Sequence, residues 1–414
     1  MLKILTFSLL YPNERQPRHG IFVEQRLRRL VETGEVTARV VAPVPWFPFS
    51  GRAFGRYGMY ASVPYMELRH GISILHPRFP SIPKVGMNLA PKLLFHAMQG
   101  VLRRIIAEGY DFDLIDAHYF YPDGVAAVWL GRALNKPVIV TCRGDDVMYF
   151  PRHRLPRRMI LDAADQAAGI VTVSADLKRR LCAMSVPEER VTVLRNGVDL
   201  HLFKPVDRIA VRQKLGLTRR TLISVGHLIE RKGHHLAIAA LASLPATDLV
   251  IVGERGTEPG GMVDALHRQV AELGLSDRVR FVANVPQTQL REWYGAADAL
   301  VLATDREGMP NVVLEALACG TPVIATPAGG IPEIMTAPEA GVLMQSRSAA
   351  AVVEAARILF EHYPRREDTR RFAETLGWDA TTRGQLALFK RALGAAGRGA
   401  GRPRRKLAAV ARDC

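Results

Sequence analysis

Short apolar runs alternate with amphipathic stretches along this chain, and that alternation restricts the fold more than any other feature of it. The first round reads ILTFSLL, then FVEQRLRRLVETG; ARVVAPV; LIDAHYF, then VAAVWLGRALNK; PVIVTCRG; GIVTVS, then ADLKRRLCAM; and VTVLRNGV. After LRNGVDLHLFKP the pattern restarts near residue 206 with TLISVGHLI, HHLAIAALASL, DLVIVGE, VDALHRQVAELG, VRFVANV, LREWYGAA, ALVLAT and PVIATP. Strand-length runs separated by helices specify parallel sheets, because parallel neighbours need a crossover and a helix is the usual one. Two rounds therefore predict two doubly wound α/β domains. Open parallel sheets bind ligands beyond the C-terminal ends of their strands, so two such domains facing each other would enclose a cleft lined by both sets of loops.

At roughly 150 residues per domain, a chain of 414 residues suits two large domains. An apolar content of 48% with 7% aromatics fits packed α/β structure and excludes disorder over most of the length. Cys142, Cys182, Cys319 and Cys414 form neither a CxxC pair nor a metal-ligand spacing, so no zinc site or disulfide framework is expected and a cytoplasmic location is. The opening MLKILTFSLLYP lacks a small-residue cleavage site and reads as a first strand. The most apolar internal stretch, Leu236 to Val252, is interrupted by Pro245 and Asp248. It falls short of the roughly 20 residues that span a bilayer. A net charge of +16 suits nucleic acid, anionic membranes or acidic substrates without choosing among them. Part of that charge lies in GAAGRGAGRPRRKLAAVARDC, which has little to bury and is expected to be disordered. Residues 44 to 104 are less regular. Within them PKVGMNLAPKLLFHAMQGVLRRI fits either a core-covering helix or a membrane contact, the former being the commoner use of an amphipathic helix.

The stretch VLATDREGMPNVVLEALACGTPVIATPAGG, residues 301 to 330, carries the densest chemistry. An apolar run ends at Ala303, Pro310 stands where a first helical turn tolerates it, and Gly320 ends the helix. The helix start would expose the N–H groups of Asn311, Val312 and Val313, which favour a phosphate. Glu307 and Glu315 flank that start. Carboxylates repel a phosphate, so their natural partners are neutral hydroxyls, such as those of a sugar and a ribose.

Glutamates at this spacing say little alone, but the string EGMPNVVLEALACGTPVIAT resembles the E-x7-E signature of the family 4 glycosyltransferases. The resemblance covers about residues 1 to 394 and implies the GT-B fold: α/β, with two facing Rossmann-like doubly wound parallel-sheet domains and a cleft between them. It implies an acceptor-side domain over 1–200, a nucleotide-sugar-binding domain over 201–376, and a helix over 377–394 that crosses back to the first domain, with the basic tail over 395–414. It places Glu307 on the transferred sugar, Glu315 on the ribose, and the backbone of Asn311, Val312 and Val313 near the diphosphate.

Further strings carry the likeness. SVGHLIERKG resembles the diphosphate-binding turn, with Lys232 in the lysine position and His227 where the family usually has arginine. Either Arg231 or a protonated His227 would then supply the missing charge. DAHYFYPDG places His118 at a strand end, where the resemblance implies a catalytic-centre residue that positions and hydrogen-bonds. TCRGDDV would put Arg143, Asp145 and Asp146 at the mouth of the acceptor side, or else close the loop as a structural ion pair. YPNERQPRHGIFVEQ resembles the glycine-containing loop in which Gly20 lets backbone approach the diphosphate. VRFVANVPQTQL resembles the turn framing the nucleobase, with Val285 as a base contact, and Glu254 lies on another loop of the same cleft. Asn196 and Gly197, in the string NGVD, suit a hinge.

The resemblance implies a retaining, metal-independent transferase, with no cofactor beyond its nucleotide-sugar substrate, acting on a glycan or polyprenyl-linked acceptor in cell-surface polysaccharide assembly, as in teichuronic acid glycosyltransferases. A place on the inner face of the membrane would account for the charge. A nucleotide-sugar epimerase on the same scaffold is the competing enzyme reading. A nucleic-acid-binding protein has no aromatic-and-basic stripe or zinc spacing behind it. A dehydrogenase lacks the GxGxxG after either first strand.

Overall fold

The computed structural model describes residues 1–49, 51, 53, 55–81, 86–254, 262–283 and 285–399. Its first sheet has eight strands. From one edge they run Val191–Val193, Gly169–Thr172, Val138–Cys142, Leu114–His118, Leu2–Phe7, Val36–Val41, Ile72–Leu75 and Met66–Arg69. All neighbours pair in parallel except the last two, which form an antiparallel hairpin. The strands Leu114–His118, Val138–Cys142 and Gly169–Thr172 are buried at every position, as befits a parallel sheet covered on both faces. The hairpin at the far edge alternates instead, leaving Leu68 75% exposed, and it occupies part of the stretch the sequence left irregular.

The second sheet has six strands, all parallel, in the order Val279–Val282, Thr247–Val252, Arg220–Val225, Ala299–Leu302, Val323–Ala325 and Gly341–Leu343. The two sheets confirm the doubly wound α/β reading. Helix Ala90–Ala107 buries Leu94, Met98, Leu102 and Ile105 along one stripe, so this amphipathic stretch covers the core. Among the described residues no helix is long and apolar enough to cross a membrane.

Two connections join the domains side by side. Val198 bridges in parallel to Gly377, and its N–H donates to the carbonyl of Leu376 at 3.1 Å. The last helix, Asp379–Gly399, then packs Leu386, Leu388, Phe389 and Ala392 into one apolar cluster with Ile4, Val23 and Leu27 of the first domain. It runs past residue 394, so residues 395–399, expected as disordered tail, are helical. Residues 400–414 lie outside the described residues.

Candidate active site

The strand orders locate the site. In the first sheet the order reverses between Leu2–Phe7 and Leu114–His118, and in the second between Arg220–Val225 and Ala299–Leu302. At such a switch point the loops leaving adjacent strands diverge and open a crevice. His118 ends one of those four strands, and the loops after the other three carry Gly20, Lys232 and Glu307.

On the second domain, Lys232 donates from Nζ to Oε1 of Glu307 at 2.5 Å, and the Thr304 hydroxyl donates to the same oxygen at 3.2 Å. Arg231 Nη1 stands 4.0 Å from that oxygen and 3.4 Å from the Arg306 carbonyl. Arg231 therefore faces the site, while His227 is exposed. Glu315 lies on helix Asn311–Ala318 and accepts the Tyr294 hydroxyl at 3.0 Å. Burial raises its pKa to about 7, against hydrogen bonds from Tyr294 and Gln287 and the pull of Arg18. Pro310 precedes the helix and no side chain caps it. The Val313 N–H, expected to face the diphosphate, bonds instead to the Pro310 carbonyl at 3.2 Å. Gly320 follows the helix end in the left-handed conformation, φ 74°.

On the first domain His118 is sealed, at 1% exposure. Its Nδ1 accepts from Arg143 Nη2 at 2.7 Å, which leaves Nε2 to carry the proton and donate to Asp116 Oδ2 at 3.1 Å. Burial draws the imidazole pKa down to about 4 despite the pull of Asp116, so the ring is neutral at neutral pH. The chain of bonds continues both ways. Asp116 Oδ2 also accepts Gln385 Nε2 at 3.1 Å, and Gln385 Oε1 accepts Arg26 Nε at 2.5 Å. Arg143 Nη1 donates to Asn196 Oδ1 at 2.9 Å, and Asn196 Nδ2 donates to Asn311 Oδ1 at 3.0 Å. One network thus links the returning helix, His118, Asn196 and the first residue of the second-domain helix. Burial lowers the pKa of Arg26 to about 10 and that of Arg143 to about 9; both stay cationic at neutral pH.

TCRGDDV does not line an open mouth. Asp146 is fully buried and accepts from the N–H groups of Phe120, Arg143 and Gly144 at 2.8, 3.0 and 2.6 Å. It clamps its own loop, because a buried carboxylate needs donors and backbone amides are the nearest. Arg143 is 9% exposed, and its guanidinium lies 5.0 Å from the Phe22 ring centre. Asp145 meets Arg306 Nε of the second domain at 3.0 Å, so the ion-pair reading applies to it, across the cleft rather than within the loop. Beside that pair Gly308 packs against the Arg143 carbonyl, where an added Cβ would lie 1.9 Å away. Only glycine permits this approach of the two backbones.

Gly20 adopts φ 68° at the start of helix Ile21–Glu32, and a Cβ there would come within 2.3 Å of the Leu10 backbone. Its freedom is used to fold the N-terminal loop on itself. That loop carries Arg18 and His19, whose pKa values burial lowers, against the pull of Glu254 and Glu315 on Arg18 and of the Leu9 carbonyl on His19. Glu254 is exposed, and Val285 is half-buried between Val279–Val282 and helix Gln287–Ala296. Sequence reasoning missed Arg18, Arg26, Tyr294, Thr304 and Gln385. Each stands in a stretch whose pattern is fully explained by a loop or an amphipathic helix, so nothing local marks it.

The family described as Glycosyl transferases group 1 matches residues 207–375, and the one described as Glycosyltransferase Family 4 matches residues 62–202. A D-inositol 3-phosphate glycosyltransferase of Frankia alni is 31% identical over 353 residues, covering 79% of this chain and 86% of that protein. TuaC of Bacillus subtilis, named for teichuronic acid biosynthesis, is 27% identical over 360 residues, covering 86% and 88%. Anabaena HepE, solved in complex with UDP and glucose, superposes with a TM-score of 0.70 at 20% identity, covering 94% of this chain and 98% of that one, a likeness of fold. Two parallel sheets with facing switch points, the carboxylate pair of 307 and 315, and these matches together establish that the chain belongs to the family 4 glycosyltransferases, enzymes of the GT-B fold.

Proposed function

We propose that the protein transfers a sugar, with retention of configuration and without a metal ion, from a nucleotide sugar to a hydroxyl of a glycan or lipid-linked glycan in cell-surface polysaccharide assembly. The observation that carries this reading is the pairing of Glu307 with Lys232 at 2.5 Å beside the uncapped helix that bears Glu315. Without substrate each charge is the other's counter-ion. With donor bound, Lys232 and Arg231 turn to the diphosphate, and Glu307 accepts from hydroxyls of the sugar. Glu315, oriented by Tyr294, accepts from the ribose hydroxyls, and Val285 meets the base. Arg231 takes the arginine role, since it stands by Glu307 while His227 faces solvent.

The acceptor hydroxyl attacks from the leaving-group face, so no enzyme nucleophile is required. His118 shapes the floor of the acceptor side; both of its nitrogens are committed to protein partners. HepE, solved with UDP and glucose, supports a nucleotide-sugar donor, and the relatives named for inositol phosphate and teichuronic acid support acceptors that carry negative charge. Such acceptors suit a protein of net charge +16 working at the inner face of an anionic membrane.

A panel of nucleotide sugars tests this by thermal stabilisation and slow donor hydrolysis, with and without EDTA. One donor is expected to stabilise and to be hydrolysed, unaffected by chelation. Stabilisation by none would refute the donor site, loss of turnover in EDTA would refute metal independence, and conversion of the donor to an epimer would favour the epimerase.

A further inference from the structure

From Val147 to Leu161 the chain has no acidic residue and four arginines, Arg152, Arg154, Arg157 and Arg158, all exposed. Arg158 has Asp162 at 3.9 Å, whereas Arg152, Arg154 and Arg157 make no ion pair among the described residues. Leu155, at the start of helix Arg154–Gln166, is 51% exposed, and Tyr149, just before the turn Phe150–Arg152, is 42% exposed. The turn Gly86–Asn88 packs against that helix and adds Leu89 at 46% exposure. Water serves such a surface poorly. Arg152, Arg154 and Arg157 have no carboxylate paired with them among the described residues, and the apolar side chains stay wet.

Position gives the patch its meaning. The ring centre of Tyr149 lies 5.5 Å from that of Phe150, and Phe150 lies 6.2 Å from Tyr119, the residue after His118. Tyr119 is held at φ 77°, a backbone conformation that costs a non-glycine residue free energy and persists where the surroundings impose it. An aromatic path thus runs from His118 out to the patch.

We infer that the surface formed by Tyr149, Arg152, Arg154, Leu155 and Arg157 docks the protein on an anionic phospholipid bilayer, with the cleft opening beside the lipid headgroups. The arginines neutralise headgroup phosphates while Leu155, Leu89 and the Tyr149 ring enter the boundary between headgroups and chains. Leu155 and Leu89 argue against a nucleic-acid partner, to whose phosphate backbone aliphatic groups add nothing. The inference rests on the membrane-side acceptor proposed above, since a lipid-linked acceptor would then meet His118 without leaving the bilayer.

The test is co-sedimentation of the full chain with vesicles of equal parts phosphatidylglycerol and phosphatidylcholine, against phosphatidylcholine alone. Binding is expected to the mixed vesicles only and to weaken with salt. Each arginine contributes about fivefold to partitioning at an anionic surface, so the triple variant Arg152→Gln, Arg154→Gln, Arg157→Gln should bind on the order of 100-fold more weakly. Leu155→Ser should bind less at any salt concentration. Stabilisation by a nucleoside diphosphate should be unchanged in both, which shows the fold and donor site intact. The tail variant Arg402→Gln, Arg404→Gln, Arg405→Gln should retain its binding to within about tenfold. Undiminished binding of the triple and Leu155→Ser variants would overturn this surface and leave membrane placement standing. No binding of the native protein would overturn both, and displacement of the vesicles by duplex DNA would overturn the lipid as its partner.

Discussion

On the second-domain side of the cleft, Glu307 and Glu315 keep 8% exposure each and are held by groups of their own domain. On the first-domain side His118 is sealed at 1% and held by a chain of bonds drawing on Arg26, Asp116, Arg143, Asn196, Asn311 and Gln385. The difference separates two kinds of polar site. A carboxylate at a cleft wall, held by a flexible lysine and the Thr304 hydroxyl, can exchange the lysine for a ligand that brings its own donors, because the carboxylate then stays satisfied. A neutral histidine in a buried network cannot exchange partners without stranding a polar group. The second-domain side is built to change partners, and the first-domain side to hold one geometry.

Four substitutions would break or sharpen this contrast. Glu307→Ala should lower transfer by about 10²–10³-fold or more with the fold intact, the scale for removing one preorganised electrostatic contact; normal turnover would remove Glu307 from the site. Arg26→Met should act in the opposite manner, costing about 3–5 kcal/mol of unfolding free energy in denaturant melts, because Asp116 stays buried after losing a nearby cation. A stability change under about 1 kcal/mol would show that the network carries no strain of charge.

Lys232→Ala should weaken donor-nucleotide binding by roughly 1.5 to 3 kcal/mol in titration calorimetry, with a melting temperature near that of the native protein. Unchanged affinity would mean that the Lys232–Glu307 pair persists when donor binds. Glu315→Gln is the substitution with a pH signature, and it leaves no effect at all at low pH. Burial raises the folded-state pKa of Glu315 to about 7 from the usual 4.5, so the folded protein holds its proton longer than the unfolded chain. Native stability therefore falls as pH rises from about 4.5 through about 7. The Gln variant, lacking that loss, should gain about 3 kcal/mol over the native protein at pH 8 and nothing at pH 4. An equal difference at both pH values would show that Glu315 is solvated in the folded state.

Much of the second-domain side was legible in the sequence. Lys232 and Glu307 follow adjacent parallel strands, and Glu315 sits one turn into the next helix, so short strings already contain them. The other side was legible at His118, Arg143, Asn196 and Asn311, but not in the bonds that join them. Arg26 and Gln385 lie 359 positions apart and meet only because the last helix returns to the first domain. Arg26 looks like a solvated position in QRLRRL, and nothing in that string separates it from the half-buried Arg28 and Arg29. Asp145 and Asp146 show the same limit at short range. The pair reads as two acids of one loop, yet one caps backbone amides in the interior and the other reaches Arg306 across the cleft.

The sequence by itself determined the two doubly wound sheets, through alternation that crossover helices satisfy, and it marked the carboxylates and the lysine of the second domain, because each stands in a short string directly after a strand or at a helix start. Tertiary structure alone decided what surrounds His118. Which nitrogen carries its proton, and that the ring is neutral, follow from Arg143 and Asp116 on either side of a buried imidazole. Burial and long-range partners are properties of the packed molecule, and no local pattern of residues encodes them.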